Sequence, residues 1–293
     1  MISVVIPVYN QAKSLEFVLE GFEKQTYSGD FNIIVVDDGS EENIGEIVER
    51  FEQLNIDYVR QENRGRAAAR NLGAKHVFTD FVVFCDADRI PSPDFIQKYN
   101  DNFLRYPECI SIGIPKELYI SDYENKRDKV FETVKKDGIY AKEAYYSKII
   151  KNLYDDNGIC QSSIPWISTL SGNMGLSLKK FNEVNGFDED FEGWGFEHFE
   201  FGYRLFRNQV KFVRLEGAIN YHLPHARSMD FYKEEIARSH SYFYNKYQCA
   251  EVFKLKDFML GELSLQDYEA AVNNSSTWIK KADKPLYNRI LNF

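Results

Sequence analysis

SVVIPV (3–8), NIIVV (32–36), IDYV (56–59) and FVVFC (81–85) are short runs, rich in β-branched and aromatic residues, that start 29, 24 and 25 residues apart. That interval is about the length of a strand, a loop and a returning helix, so it predicts consecutive βαβ units and four strands of a parallel sheet. Between the first two runs Leu15, Val18, Leu19 and Phe22 recur at three and four, the apolar stripe of a helix lying on that sheet. Each run ends in polar residues: Tyr9-Asn10, Asp37-Asp38-Gly39-Ser40, Gln61-Glu62-Asn63-Arg64-Gly65 and Asp86-Ala87-Asp88. In an open parallel sheet these ends gather at the carboxyl edge, where ligands bind, so the site is expected there.

The chain has 293 residues, 44% of them hydrophobic and 15% aromatic, enough to bury a large core and to exclude general disorder. Thirty-six Lys and Arg against 45 Asp and Glu leave a net charge of −9, which argues against nonspecific binding to nucleic acid or to an anionic membrane. Cys85, Cys109, Cys160 and Cys249 are far apart and form no CxxC pair, so no zinc knuckle or disulfide scaffold is indicated and a reducing compartment fits. The opening MISVVIPVYN lacks a basic leader, and no run approaches the ~20 apolar residues that span a bilayer. The expected location is the cytoplasm, including the inner face of the membrane, with any membrane contact peripheral. From Pro107 to about Ile164 the period weakens and reads as mixed helix and loop. From Ser228 onward the chain reads as helical, with a cap at Ser264 and Asp267 three residues on. Tyr232, Ile236, Tyr242, Phe243 and Tyr247 either pack this extension on the body or offer an acceptor or partner surface.

Several constellations could carry chemistry, and each has a plainer reading. Asp86 and Asp88 follow an apolar strand two residues apart, a pair suited to a hard divalent ion on phosphate oxygens or simply to a turn. Asp37 and Asp38 before Gly39-Ser40 form an Asx turn ahead of a helix starting near Glu41, or accept the N–H of a base beside Pro7, Tyr9 and Asn10, with Tyr9 as an apolar lid. Asn63, Arg64, Arg66 and Arg70 concentrate positive charge in an acidic chain; Arg66 and Arg70 share a helical face that could hold a diphosphate, or pair with a strand-end aspartate. In GWGFEHFE (193–200) Trp194 could wall a sugar ring, and Glu197, His198 or Glu200 could take a proton from an acceptor hydroxyl. The same letters also describe a packing turn with an acidic helix start. His222 and His225 in YHLPH could complete a metal shell begun by Asp88, a set better suited to Mn²⁺ than to Mg²⁺, or be structural. Asn173 in Ser171-Gly172-Asn173 either orients a sugar hydroxyl or serves a turn. Neither GxGxxG after the first strand nor GxxxxGK[ST] occurs, which disfavours a Rossmann dehydrogenase and a P-loop enzyme.

In order and spacing, VVIPVYN, IIVVDDGS, QENRGRAAARN and VVFCDAD resemble the donor half of the family 2 glycosyltransferases, and SGNMGLSLKKFNEVNGFDEDFEGWGFEHFE resembles the acceptor half of its galactosyltransferase-like subgroup with a W-G-x-E signature. The resemblance implies an α/β GT-A fold: a Rossmann-like, mostly parallel central sheet flanked by helices. It implies a glycosyltransferase domain over 1–225, with a donor half at about 1–105 and an acceptor half at about 165–225, followed by a helical extension over 226–293. It further implies a nucleotide-diphospho-sugar donor, commonly UDP-linked, bound with Mn²⁺ or Mg²⁺. Asp38 would then contact the base, Asp88 bind metal, Arg70 lie near the diphosphate, and a later histidine ligate the ion. Pro7, Tyr9, Asn10, Asn63, Arg66, Asp86 and Ala87 complete the expected donor set, with Asp86 also a candidate metal ligand. Where the inverting subgroup usually carries Asp as base, this chain has His198. Three readings follow: His198 is the base, Glu197 or Glu200 has taken the role, or the stereochemistry differs, since related retaining enzymes carry Asn there. Glu197 is preferred, because a carboxylate can both accept the proton and hold the acceptor. The expected activity is metal-dependent hexosyl or N-acetylhexosaminyl transfer with inversion to a saccharide, a carrier-linked glycan or a protein. The alternatives are a retaining enzyme and an inactive nucleotide-sugar-binding module.

Overall fold

The computed structural model describes residues 1–191, 193, 195–225, 229–273, 279 and 284–289. Strands β1 (Ile2–Val8), β2 (Phe31–Asp37), β3 (Ile56–Arg60) and β4 (Phe81–Cys85) run parallel, as the four runs predict, and stand in the order β3-β2-β1-β4. Helices α1 (Ala12–Glu23), α2 (Ile44–Glu49) and α3 (Gly65–Lys75) return the chain between them. The second helix begins three residues later than expected: the Glu41 amide donates to Asn10 Oδ1 at 2.8 Å, and Asn43 becomes the cap by accepting from the Glu46 amide.

Beyond β4 the sheet is mixed rather than mostly parallel. Strands β5 (Arg89–Pro91), β6 (Ile110–Leu118), β8 (Asn173–Ser177) and β9 (Phe212–His222) continue it as β4-β8-β6-β9-β5, and β7 (Ala141–Glu143) pairs with β6. Strand β8 is antiparallel to both neighbours, β6 and β9 are parallel, and β5 is antiparallel to β9. The Asp86–Asp88 turn, closed by the Arg89 amide donating to Asp86 O at 3.1 Å, leads into the short β5, while the antiparallel neighbour of β4 is β8, from much later in the chain. Residues 110–118, read from sequence as helix and loop, form a nine-residue interior strand. Gly113 interrupts its pattern because a Cβ there would lie 2.5 Å from Ala218 O, and the register with β9 shifts at this point.

Two apolar layers cover the sheet, and alternation along β1 sends Val5 to one and Val4 and Ile6 to the other. One layer packs α1, α4 (Phe95–Arg105) and α5 (Arg127–Lys136) through Leu15, Phe17, Phe95, Tyr99 and Val130. The other packs α3, α6 (Tyr145–Ile150), α7 (Leu178–Glu183) and α8 (Glu197–Arg207). That second layer also takes in α9 (Met229–Tyr247), α10 (Ala250–Met259) and α11 (Leu265–Val272), where Trp166 meets Tyr203 and Phe243 edge-on at 5.4 and 5.7 Å. Ser264 caps α11 by accepting from the Asp267 amide. Among the described residues no helix is long and apolar enough to cross a membrane.

Candidate active site

The carboxyl edge of the parallel strands is tied together by its own polar residues. Asp37 accepts from the Ser40 amide and the Tyr58 hydroxyl, the Asx-turn reading of that position. Asp38 accepts from Gln61 Nε2 and the Arg64 amide on one oxygen and from the Gly65 amide on the other, fixing the loop that starts α3. Gly39 has φ +79°, and a Cβ there would lie 2.7 Å from the Asn63 nitrogen, so only glycine lets these two loops approach. Asn10 bridges the first two strand ends through the Glu41 amide and Ser40 Oγ. Pro7, Tyr9, Asp38, Asn63, Arg66 and Ala87 line a cleft of about 760 Å³ over this edge, and Tyr9 is 46% exposed on it. Asn10 is not on its wall; its side chain is spent on the loops.

On one side of the cleft Asp88 meets His222 and His225. Asp88 Oδ2 lies 3.5 Å from each Nε2, and the two Nε2 atoms are 3.1 Å apart, so three ligand atoms converge within 4.8 Å. The donor set of one carboxylate oxygen and two imidazole nitrogens fits a transition-metal dication such as Mn²⁺. Asp88 Oδ1 is buried without a hydrogen-bond partner among the described residues, a polar atom that a cation would satisfy. His222 Nδ1 pairs at 2.6 Å with Glu117 Oε2, the outer contact that fixes the ring and leaves Nε2 toward the cluster. Burial and Arg89 work against a charged His222, but Asp88 and Glu117 outweigh them and push its pKa up to about 9; binding a cation there displaces that proton.

The structure separates Asp86 from this cluster. Its Oδ1 accepts from Arg70 Nη2 at 2.8 Å, and Arg70 Nη1 donates to Glu197 Oε1 at 3.0 Å. Arg70, 1% exposed, is therefore an ion-pair bridge rather than an open diphosphate ligand. Burial alone would raise the Glu197 carboxyl, but His198, Arg70 and Arg66 prevail and hold it well below the usual carboxylate range. Arg66 makes no ion pair among the described residues and lines both the large cleft and a second pocket of about 270 Å³, which opens off it past Asp86 and Arg89. Glu197 and His198 line the second pocket, with His198 Nδ1 3.8 Å from Glu197 Oε2.

Two expectations do not survive. Glu200 is fully buried, clamped by Arg204, Lys246 and the Tyr247 hydroxyl, and cannot meet an acceptor. Asn173 lies against the second pocket but is fully buried, with Oδ1 accepting from Tyr99 and Nδ2 donating to Ala218 O, so its amide is already paired inside the sheet. Trp194 lies outside the described residues. Sequence reasoning missed Glu117 and Arg89, whereas Tyr232 of α9, read from sequence as packing or as acceptor surface, borders both cavities. Glu117 sits on the strand that was read as loop; a carboxylate two residues after Pro115 gave no signal of its own. Replacing Glu117 with Gln is expected to weaken Mn²⁺ binding by about 10–100-fold with the fold intact, as loss of an outer contact to a ligating histidine does. Calorimetric titration of the ion into both proteins measures it.

A cleft over parallel strand ends, a carboxylate–imidazole cluster on its wall and an adjoining second pocket sit on a mixed α/β fold that is broadly GT-A-like. Residues 3–166 match the family model "Glycosyl transferase family 2", and residues 160–226 match "N-terminal domain of galactosyltransferase". The chain belongs to glycosyl transferase family 2. It is 30% identical to a chondroitin synthase of Escherichia coli over 92% of its own length and 43% of that protein, and 31% identical to a chondroitin synthase of Pasteurella multocida over 75% and 24%. It thus spans less than half the length of these relatives. Among solved structures, S. aureus TarS in complex with UDP aligns with TM-score 0.60 at 17% identity, covering 90% of this chain and 72% of that one. A Pyrobaculum calidifontis mannosyltransferase in complex with GDP-Man and Mn²⁺ aligns with TM-score 0.57 at 17% identity, covering 87% and 67%. At such identities these likenesses show the fold.

Proposed function

We propose that this protein transfers a hexosyl or N-acetylhexosaminyl group from a UDP-linked donor to a saccharide hydroxyl in glycan synthesis, with Mn²⁺ bound and with inversion at C1. The observation that carries the reading is Asp88: a buried carboxylate with one unpartnered oxygen, facing two imidazoles on the wall of a nucleotide-sized cleft. The relatives named as chondroitin synthases and the neighbour bound to UDP support the substrate class.

Asp88, His222 and His225 would hold the ion, which when bound stabilises the charge gathering on the departing diphosphate. Tyr9 lies against the base as an apolar face. Asp38 keeps one lone pair beyond its three hydrogen bonds for the base N–H. Arg66 faces the phosphates at the junction of the two cavities, and the acceptor enters the smaller one beside His198. A second reading, a nucleotide-sugar-binding module without turnover, draws on His198 standing where the family usually has Asp.

Calorimetry with UDP-, GDP- and dTDP-sugars, with and without Mn²⁺, tests the donor, and product analysis with saccharide acceptors tests transfer. Mn²⁺-dependent binding of a UDP-sugar followed by transfer is the expected result. Binding without turnover selects the module, and binding of no donor overturns both.

A further inference from the structure

Glu197 and His198 open α8 side by side, but their surroundings differ. Phe196, at φ +65°, turns the chain into the helix so that Glu197 points inward, its side chain 3% exposed and its Oε1 held by Arg70. That carboxylate is committed to a buried cation and kept ionised, so it has little tendency to accept a proton. His198 is oriented differently. Its backbone carbonyl is anchored by Thr169 Oγ1 at 2.8 Å, its ring rests near Phe199 with centroids 4.2 Å apart, and its partly exposed edge lines the smaller pocket. With Nδ1 on the Glu197 side, Nε2 is the nitrogen left for a ligand, and it has no hydrogen-bond partner among the described residues.

We propose that His198 is the general base of the transfer reaction and that Glu197 is a positioning residue, held by Arg70, that orients the imidazole and stabilises its charged form. The assignment rests on the inverting transfer set out above. The acceptor O–H proton passes to His198 Nε2 as the oxygen bonds to C1 of the sugar. The bond from C1 to the phosphate oxygen breaks, and its electron pair leaves with the nucleoside diphosphate. Glu197 faces the imidazolium Nδ1–H until the proton is lost to water. This is the logic of a histidine base oriented by a carboxylate, with Arg70 in turn fixing the carboxylate. Besides Glu197, the titratable and charged groups that face the pocket are Arg66 of α3, Asp86 and Arg89 of the β4–β5 turn, Tyr146 of α6, Tyr232 of α9 and Arg289.

The test is the pH dependence of kcat/KM for the wild type, His198→Asn, His198→Asp and Glu197→Gln. The wild type is expected to lose activity on the acid side as the base takes up a proton. His198→Asn is expected to lose about 10²–10⁴-fold in rate and the acid limb with it, while binding of the UDP-sugar is unchanged because His198 is not on the donor cleft. His198→Asp is expected to recover part of the rate with the limb moved to lower pH, toward a carboxylate. Glu197→Gln is expected to move the limb downward as the imidazolium loses its anion. A merely structural His198 would change the rate without moving the limb. Activity of His198→Asn within threefold of wild type, or an unmoved limb in His198→Asp, overturns the assignment alone. Absence of transfer by the wild type from a donor it binds overturns the function and this role with it.

Discussion

Asp88→Ala is expected to abolish Mn²⁺-dependent donor binding and to cut transfer by on the order of 10³-fold, about 4 kcal/mol of transition-state stabilisation, in line with the several kcal/mol a metal contributes at a departing diphosphate. Some thermal stability is expected to be lost as well, because Asp88 Oδ2 lies 3.5 Å from both imidazoles and its removal takes an anion from the charged His222, which keeps only Glu117. Asp88→Asn, which preserves shape, is expected to fail almost as badly because its amide brings no charge to the cluster. Asp86→Asn provides the contrast: it weakens the bond to Arg70 and leaves the Asp88–His222–His225 set in place, so Mn²⁺ titration is expected to be near normal. Transfer by Asp88→Ala within tenfold of wild type, or Mn²⁺ dependence equal in the two proteins, would remove the metal from the mechanism.

The parallel half of the fold was legible because β1, β2 and β4 are largely apolar runs buried on both faces, and the half-exposed edge strand β3 keeps the same spacing between acidic and glycine turns. The other half was not. Strand β6 carries Gly113 and Pro115 within nine residues, each locally a strand breaker, yet Gly113 stands where a side chain would strike Ala218 and the strand is still buried along most of its length. Tertiary packing overrides propensity at such positions, and one sequence does not show what lies opposite. The antiparallel insertion of β8 between β4 and β6 joins segments far apart in the chain, a pairing that no periodicity encodes.

The site divides along the same line. Asp38, Asp88 and the Arg66–Arg70 pair announce themselves, since they follow a strand or open a helix at the ligand edge. What each touches is not written in the spacing. Arg70 had two readings, diphosphate or strand-end aspartate, and the structure places it on Asp86 and Glu197. Glu197 and Glu200 are three apart in one helix, and both are candidate bases by sequence; packing sends one toward the smaller pocket and the other into a cage of Arg204, Lys246 and Tyr247. His222 and His225 were legible as a pair, but their partner Glu117 lies more than a hundred residues earlier and meets them only because β6 and β9 are neighbours.

The same distance in sequence makes Arg70 the strongest structural dependency in the site. It joins Asp86, at the end of β4, to Glu197, at the start of α8, and so fixes the smaller pocket against the larger cleft. Arg70→Met is expected to destabilise the protein by roughly 3–5 kcal/mol, because it leaves the buried Glu197 without its ion-pair partner and weakens the pairing of the part-exposed Asp86, and to lower Tm by roughly 10 °C in a chain of this size. Adding Glu197→Gln to Arg70→Met removes the stranded charge and is expected to restore part of the loss, which a double-mutant cycle by thermal denaturation quantifies. Arg70→Lys keeps the charge but not the fork that spans both partners, so it falls between the two. The pH dependence has a fixed sign. Glu197 titrates below its unfolded value near 4.3, so the stability it contributes is complete above that value and is lost as the pH falls through its lower folded pKa. In Arg70→Met one of the cations that depresses this carboxyl is gone, so the gap in stability between wild type and variant is expected to be widest at neutral pH and to narrow below about pH 4. A gap that stays constant from pH 7 to pH 3, or a Tm within 2 °C of wild type, would mean that the bridge carries no such load and that packing around α3 and α8 alone sets the two pockets against each other.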